Sequence, residues 1–195
     1  DTSVTTGVDQ ILGEHGHIDI LINAAGYGQY GAIEDMPIGE ARRQLDVNLF
    51  GGARLVQRVL PNMRSQRFGK IINVTSVGGK IYTPMGGWYH ASKFAMEAYS
   101  DVLRLETKPF GIDVIVIEPG IIATEWGAIA IQEAERLSGT GTYRDLLAKY
   151  VKVQTSSKGS SPKIIARLTV KALNAARPKA RYHAGQMAGP ILFLR

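Results

Sequence analysis

The sequence predicts an α/β fold in which helices cover both faces of a parallel sheet. Short apolar, β-branched runs alternate with longer segments of helical periodicity, which is typical of parallel strands joined by helical crossovers. Two of these runs, at 17–25 and 112–118, carry apolar side chains on both faces, as strands do in the middle of such a sheet. No internal repeat, linker or low-complexity tract interrupts the 195 residues, so one domain is predicted for residues 1–195.

The first half of the chain predicts two helices and one strand. Residues 3–13 have a Ser/Thr start, an apolar stripe and a glycine at the end, which together predict a short helix. The strand at 17–25 follows. Pro37 then opens a long helix over 38–64, because proline suits the first helical turn, and Gly51-Gly52 interrupts that helix.

The second half continues the alternation of strand and helix. A β-branched run at 71–76 predicts a buried strand, and the helix over 88–108 ends where Pro109 and Gly111 break the pattern. After the strand at 112–118 the remaining elements are a mixed helix and loop segment at 121–159, a helix from Ser161-Pro162 to about residue 176, and a short strand at 181–184.

Composition and charge restrict the possible functions. Apolar residues make up 45% of the chain, and the absence of cysteine excludes disulfides and thiol chemistry and is typical of a cytoplasmic protein. No apolar run is long enough to span a membrane, and no metal site is predicted. Residues 144–195 carry 11 Lys and Arg against Asp145 alone. The helical spacing of Lys163, Arg167 and Lys171 favours a solvated helix face over a surface for nucleic acid or anionic membrane.

Three side chains suggest acid–base chemistry. Ser76 stands at the carboxyl end of a predicted strand, and Tyr89 and Lys93 lie four residues apart on one face of the next helix. An ammonium about 4 Å from a phenol, at an effective dielectric near 20, would favour phenolate by roughly 4 kcal/mol, or about 3 pKa units. Taken alone, the Tyr-x-x-x-Lys spacing favours a packed surface pair over a catalytic one.

Further motifs at matching positions favour the catalytic interpretation. They are Asn23-Ala24-Ala25-Gly26 after the first strand, Asn48 in the long helix, and Glu118-Pro119-Gly120 after the third strand. With these motifs the chain resembles the short-chain dehydrogenase/reductase family over residues 1–185. The resemblance implies a Rossmann-type doubly wound parallel sheet and an NAD- or NADP-dependent oxidoreductase, with no preference between the two cofactors.

The resemblance also implies a role for each residue of the motifs. Tyr89 would be the general acid or base, Ser76 would bind the substrate oxygen, Lys93 would lower the pKa of Tyr89 and hold the nicotinamide ribose, and Asn48 would anchor a water behind Lys93. An alternative for Asn48 is a structural role at a helix kink. The remaining cofactor contacts implied are Asn23, Ala24, Gly26, Pro119, Gly120, Ile122 and Thr124.

The resemblance gives a partial picture of the substrate and of assembly. The local sequence around Glu118 and Pro109 is most similar to that of the hydroxysteroid-dehydrogenase-like branch of the family. This similarity implies that the substrate is a lipophilic carbonyl or alcohol such as a steroid or retinoid. A lid at 121–159 and the side chains of Ser76, Tyr82, Met85, Trp88 and Trp126 would line the substrate pocket, although these aromatic residues could equally be core or dimer contacts. The helices at 38–64 and 88–108 would form a homodimer or homotetramer contact.

The chain departs from the family pattern in two respects. Ala24 replaces the commoner second asparagine of its motif, and no glycine-rich turn precedes the first strand. The family's first three strands and its cofactor-selecting residue are therefore expected to be absent, which would leave Ile18–Ile22 as a bare sheet edge. Two alternatives to an active enzyme follow: a catalytically silent binding or scaffold subunit, and an inert half-domain that binds cofactor weakly or not at all.

Overall fold

A computed structural model describes residues 2–194 and shows one parallel sheet of four strands flanked by helices. Asp1 and Arg195, the ends of the predicted domain, lie outside the described residues. The strands are β1 (Ile20–Asn23), β2 (Gly69–Val74), β3 (Ile112–Pro119) and β4 (Arg181–Ala184). The helices are α1 (Thr2–His15), α2 (Ile38–Leu45), α3 (Gly52–Gln66), α4 (Gly87–Thr107), α5 (Trp126–Ser138), α6 (Arg144–Thr155), α7 (Lys163–Asn174) and α8 (Ala188–Phe193).

The strands lie side by side in chain order, β1-β2-β3-β4, and every pairing is parallel. Alternate side chains of β2 and β3 therefore face opposite sides of the sheet. Ile71 and Val114 pack with α1, α3 and α4 on one face, whereas Ile72 and Ile115 pack against α7 on the other. The predicted α/β fold with helices on both faces is confirmed.

The first strand differs from its neighbours in burial. Strand β3 is almost fully buried, as its doubly apolar sequence predicts. In β1, by contrast, Ile20 and Ile22 remain 46% and 44% exposed, and β2 is the one strand that pairs with β1 within residues 2–194. The prediction that residues 17–25 form a doubly covered strand is therefore wrong, whereas the predicted bare edge is confirmed.

The long helix predicted over 38–64 is interrupted, as its glycine pair predicts, although the interruption begins earlier. A π-helical segment at Asp46–Gly51 separates α2 from α3. Because a π turn holds one residue more than an α turn, it changes which side chains face inward. Asn48 is buried by this change and is 3% exposed.

The predicted basic face of the C-terminal region lies on a helix. In α7 the exposed side chains include Lys163, Arg167 and Lys171, while Leu168 and Ala172 pack on the sheet. No helix between residues 2 and 194 has both the length and the hydropathy needed to cross a bilayer.

Candidate active site

The structure brings Ser76 and Tyr89 together at the carboxyl ends of the strands. β2 ends at Val74, so Ser76 lies two residues beyond the strand rather than at its last position. There its Oγ accepts a hydrogen bond of 2.9 Å from the Gly78 N–H and begins a short 3₁₀ turn. Tyr89, in the first turn of α4, is 7% exposed, and its phenol interacts with the Ser76 hydroxyl.

Lys93 lies one helical turn after Tyr89 and is almost completely buried. Its Nζ donates a hydrogen bond of 3.1 Å to the carbonyl oxygen of Val74 and lies 6.0 Å from the centroid of the Tyr89 ring. Burial lowers the pKa of Lys93 to about 8, although the nearby Glu97 carboxylate opposes that shift. Ser76, Tyr89 and Lys93 are thus held within one buried region, as their sequence positions indicate.

The predicted fall in the pKa of Tyr89 is not found in this structure. Burial raises the pKa of Tyr89 to about 12, and the hydrogen bond with Ser76 lowers it only in part. The prediction assumed an ammonium about 4 Å from the phenol, whereas Nζ is directed at a main-chain carbonyl. At neutral pH Tyr89 is therefore an uncharged phenol, the protonation state of a proton donor.

Asn48 connects the π-helical segment to the loop after β1. Its Oδ1 accepts from the Tyr27 N–H at 2.9 Å, and its Nδ2 donates to the Tyr27 carbonyl oxygen and to Ser92 Oγ. The structural role considered for Asn48 is therefore present. Gly26 lies beside this contact, where an added Cβ would be 3.3 Å from Asn48 Oδ1 and 3.5 Å from Lys93 Nζ. Asn48 and Lys93 consequently border the same small space.

Asn23 has a bracing role within the sheet. Its Nδ2 donates to Asn73 Oδ1 at 2.8 Å, and Asn73 Nδ2 donates in turn to Ser100 Oγ of α4 at 2.8 Å. The chain Asn23–Asn73–Ser100 links two strands to a helix. Because the Nδ2 of Asn23 is engaged inside the protein, the main chain beside Ala24 and Gly26 is the part of this motif that is open to a ligand.

A buried ionic network behind Lys93 was not predicted from the sequence. Glu97, one turn further along α4, accepts from Thr75 Oγ1 at 2.5 Å and pairs with Lys80 and Arg181 at 2.8 and 3.0 Å. Burial and the neighbouring Glu97 carboxylate raise the pKa of Glu118 to about 7. The sequence could have indicated Glu97, because it lies four residues after Lys93 and so on the same helix face. The pairing of Lys80 and Arg181 with Glu97 is visible only in the folded chain.

An aromatic cluster covers Tyr89. The rings of Tyr30 and Trp126 lie 5.4 and 5.2 Å from the Tyr89 ring, and Tyr150 of α6 stacks on Tyr30 at 5.6 Å. Trp126 and Tyr150 both belong to the predicted lid segment. Beside the cluster is a cleft of about 360 Å³ whose lining includes Gly26, Thr124 and Trp126.

The other predicted site residues are divided among several environments. Met85 is buried in the aromatic cluster, Trp88 is half-buried, and Tyr82 is 84% exposed. Pro119 ends β3, and the segment after it is held by main-chain bonds. These bonds run from Gly120 N–H to Ala184 O, from Ala123 N–H to Ser160 O and from Ser160 N–H to Ile121 O. Of this group, Thr124 lines the cleft, while Ile122 forms a bridge to Ser160.

Sequence comparison identifies relatives along the whole chain. Residues 1–134 match the family model described as short chain dehydrogenase. A probable short-chain type dehydrogenase/reductase, VdlC, of Helicobacter pylori is 38% identical over 94% of this chain and 68% of its own length. The 3-ketodihydrosphingosine reductase of Bacteroides thetaiotaomicron is 36% identical over 99% of this chain and 72% of its length. Retinol dehydrogenase 8 of Bos taurus is 32% identical over 100% of this chain and 64% of its length.

Solved structures agree with these relatives. A short-chain dehydrogenase from Streptomyces avermitilis superposes with a TM-score of 0.84 at 27% identity, covering 98% of this chain and 69% of its own. An NAD⁺-bound xylitol dehydrogenase superposes with a TM-score of 0.68 at 25% identity, covering 84% of this chain and 66% of its own. The chain belongs to the short-chain dehydrogenase/reductase family of NAD- or NADP-dependent oxidoreductases.

Proposed function

We propose that this protein transfers a hydride between NAD(P)(H) and the carbonyl or secondary alcohol of a lipophilic small molecule. The observation that carries the proposal is the convergence of the Ser76 hydroxyl, the Tyr89 phenol and the Lys93 ammonium in one buried region. These three groups offer a hydrogen-bond donor, a proton donor and a cation to a single oxygen atom and its surroundings.

Each group has a role that its surroundings support. Tyr89, as an uncharged phenol, donates a proton to the oxygen of a carbonyl that is being reduced, and accepts it back when an alcohol is oxidised. Ser76 holds that oxygen by a hydrogen bond. Lys93 supplies positive charge beside the phenol and stabilises the negative charge that develops when the proton leaves. Asn48 fixes the Tyr27 main chain next to Lys93.

The residues present fit a nicotinamide cofactor. Among residues 2–194 the Val74 carbonyl is the one hydrogen-bond acceptor of Lys93 Nζ, so other protons of the ammonium are available to ribose hydroxyls. The glycine at position 26 leaves the main chain open next to Lys93, and Thr124 lines the adjoining cleft. The bound nicotinamide would supply the hydride, which protein side chains do not provide.

The character of the pocket favours an apolar substrate. The cleft next to Tyr89 is bordered by Trp126 and Ile129 of the predicted lid segment, and the Trp126 ring also packs on the Tyr89 ring. Such a lining binds large apolar groups better than polyols. The similarity to a 3-ketodihydrosphingosine reductase and a retinol dehydrogenase supports the same substrate class. The cytoplasmic location stays a prediction.

A substrate panel tests this proposal. We expect 3-ketodihydrosphingosine and all-trans-retinal to be reduced with a kcat/KM about 100-fold or more above that for D-xylulose, a polar ketose control, since each buried methylene contributes about 0.8 kcal/mol. Each substrate is assayed with NADH and with NADPH by the loss of nicotinamide absorbance. Equal or better turnover of D-xylulose would contradict the lipophilic assignment. No turnover with any carbonyl, despite cofactor binding by calorimetry, would favour a silent binding subunit.

Cofactor titration addresses the alternative of an inert half-domain. An inert half-domain without a glycine-rich turn would bind NAD(H) and NADP(H) weakly or not at all, and would show none of the turnover expected above. Submicromolar binding would show that the cradle around Gly26 and Lys93 is sufficient.

We further propose that the protein assembles through the helices at 38–64 and 88–108. The outer surface of α4 carries a stripe of small and apolar side chains at heptad-like spacing: Ala91, Ala95, Ala98, Val102 and Leu105. Val102 and Leu105 are 53% and 73% exposed. On the inner side of these helices Val59 is buried in the protein core, and Leu55 and Tyr99 pack against that core. A contact between copies would cover the apolar stripe.

Val102→Glu is expected to convert the oligomer to monomer, because it inserts a charge into the centre of this stripe. Light scattering during size-exclusion chromatography measures the change. Val170→Glu is the matched control, since Val170 is 54% exposed on α7, away from the stripe. A wild-type monomer, or an oligomer that survives Val102→Glu unchanged, would contradict the proposed contact.

A further inference from the structure

The segment that joins Ser76 to Tyr89 lies mostly outside helix and strand. After the 3₁₀ turn at Val77–Gly79 the chain runs without helix or strand to α4, and Met85 has a positive φ of 67°. This segment, residues 77–86, sets the separation between the two reacting side chains. Its position therefore depends on bonds to the elements that pack against it.

His90 forms hydrogen bonds at two positions of segment 77–86. The ring atom Nδ1 lies 2.8 Å from the Gly78 carbonyl oxygen, and Nε2 lies 3.0 Å from the Thr83 main-chain nitrogen. The Thr83 N–H can only donate, so Nε2 must be the unprotonated nitrogen. The Gly78 carbonyl can only accept, so Nδ1 carries the proton. The two bonds together require the neutral Nδ1–H tautomer.

Packing holds the imidazole ring in the same position. An added Cβ at Gly78 would lie 3.2 Å from Nδ1, and one at Gly86 would lie 2.7 Å from Nε2, so the ring fits between two glycines of the segment. The ring of His90 also lies edge-on to that of Tyr89 at 5.5 Å. His90 is 6% exposed, and burial lowers its pKa, although the bond to Gly78 opposes this shift.

We infer that His90 is a positioning residue, which as a neutral imidazole fixes segment 77–86 so that the Ser76 hydroxyl faces the Tyr89 phenol. The effect of His90 on kcat rests on the proposed function. Its structural basis, the tautomer and its two bonds, stands independently of turnover. This role is separate from those of Ser76, Tyr89, Lys93 and Asn48, because His90 forms no hydrogen bond with the hydroxyl group of Ser76 or of Tyr89.

The first test requires no activity. Nitrogen-15 NMR of histidine-labelled protein at pH 7 is expected to show His90 protonated at Nδ1 and unprotonated at Nε2, with a slowly exchanging Nδ1 proton. A ring protonated at Nε2, or charged at pH 7, would overturn the inference. This result is unaffected if Tyr89 proves to be dispensable for turnover, so failure of the inference and failure of the proposed function can be distinguished.

The second test is a graded series of variants, assayed with the carbonyl reduced best in the panel. His90→Phe keeps a ring but loses both bonds, and we expect kcat to fall about tenfold or more with KM changed less than about threefold. His90→Asn retains a donor for Gly78 and His90→Gln an acceptor for Thr83, so each should recover part of kcat. His183→Phe, at an exposed position of β4, is the control. Wild-type kcat in His90→Phe, or equal loss in all three variants, would overturn the inference.

Discussion

Tyr89→Phe is expected to lower kcat by about 10²- to 10⁴-fold, the usual contribution of a positioned general acid. The variant loses only the phenolic hydroxyl, which is the one group near Ser76 able to deliver a proton to a substrate oxygen in the proposed mechanism. The fold should persist, because the ring still packs against Tyr30 and Trp126. The free energy of unfolding should change by no more than about 1.5 kcal/mol. Steady-state kinetics and urea unfolding measure the two quantities.

Tyr99→Phe is the matched control for this experiment. Tyr99 lies ten residues after Tyr89 on the same helix and is half-buried against the core. Removal of the Tyr99 hydroxyl should leave kcat within about twofold of the wild-type value. If Tyr89→Phe retained the wild-type rate while Tyr99→Phe also did, the phenol would have no part in proton transfer.

Lys93→Met is expected to abolish most activity and, at the same time, to stabilise the fold. In the folded protein the pKa of Lys93 is about 8, below the ordinary value of 10.5, because burial disfavours its charged form. This difference corresponds to about 3 kcal/mol of destabilisation below pH 8, where the lysine is charged in both folded and unfolded states. Replacing Lys93 removes that cost, and loss of the bond to Val74 offsets about 1 kcal/mol of it.

The pH dependence supplies the signature of this effect. Between pH 8 and 10.5 the unfolded chain binds the proton that the folded protein has released, so the stability of the wild type rises with pH and its difference from Lys93→Met shrinks. Wild-type kcat/KM should fall above pH 8 as the cation is lost. Urea unfolding at pH 7 and 10 measures the first effect.

Lys80→Met gives the opposite expectation and serves as the control for Lys93→Met. Lys80 Nζ lies 2.8 Å from Glu97, so its removal leaves that buried carboxylate with less compensation and should destabilise the fold. Lower stability in Lys93→Met at pH 7 would contradict the charge-burial account.

The sequence predicted the order of elements and the residues of the site because these depend on local pattern. The strand run at 112–118 and the helix at 88–108 were recovered to within a residue at each end. The positions of Tyr89 and Lys93 on one helix face follow from helical periodicity alone. The parallel order of the strands follows from the alternation of strand and helix and from the family resemblance.

The electrostatics of the site could not be predicted in the same way. The pKa of Tyr89 depends on how completely Tyr30 and Trp126 cover it and on where the ammonium of Lys93 points, and both are tertiary properties. The ionic network around Glu97 draws on Lys80 and Arg181, which are far apart in the chain. The anchoring role of His90 likewise becomes visible only when segment 77–86 is folded over its ring.

The π-helical segment at Asp46–Gly51 has a consequence for how the two halves of its helix are related. One extra residue in a helix displaces everything beyond it by about 100° around the axis and 1.5 Å along it. The inward faces of α2 and α3 are therefore set independently: Asn48 can meet the Tyr27 main chain while Val56 and Val59 still meet the sheet. A straight α-helix of the same sequence would satisfy one of these requirements and rotate the other into water.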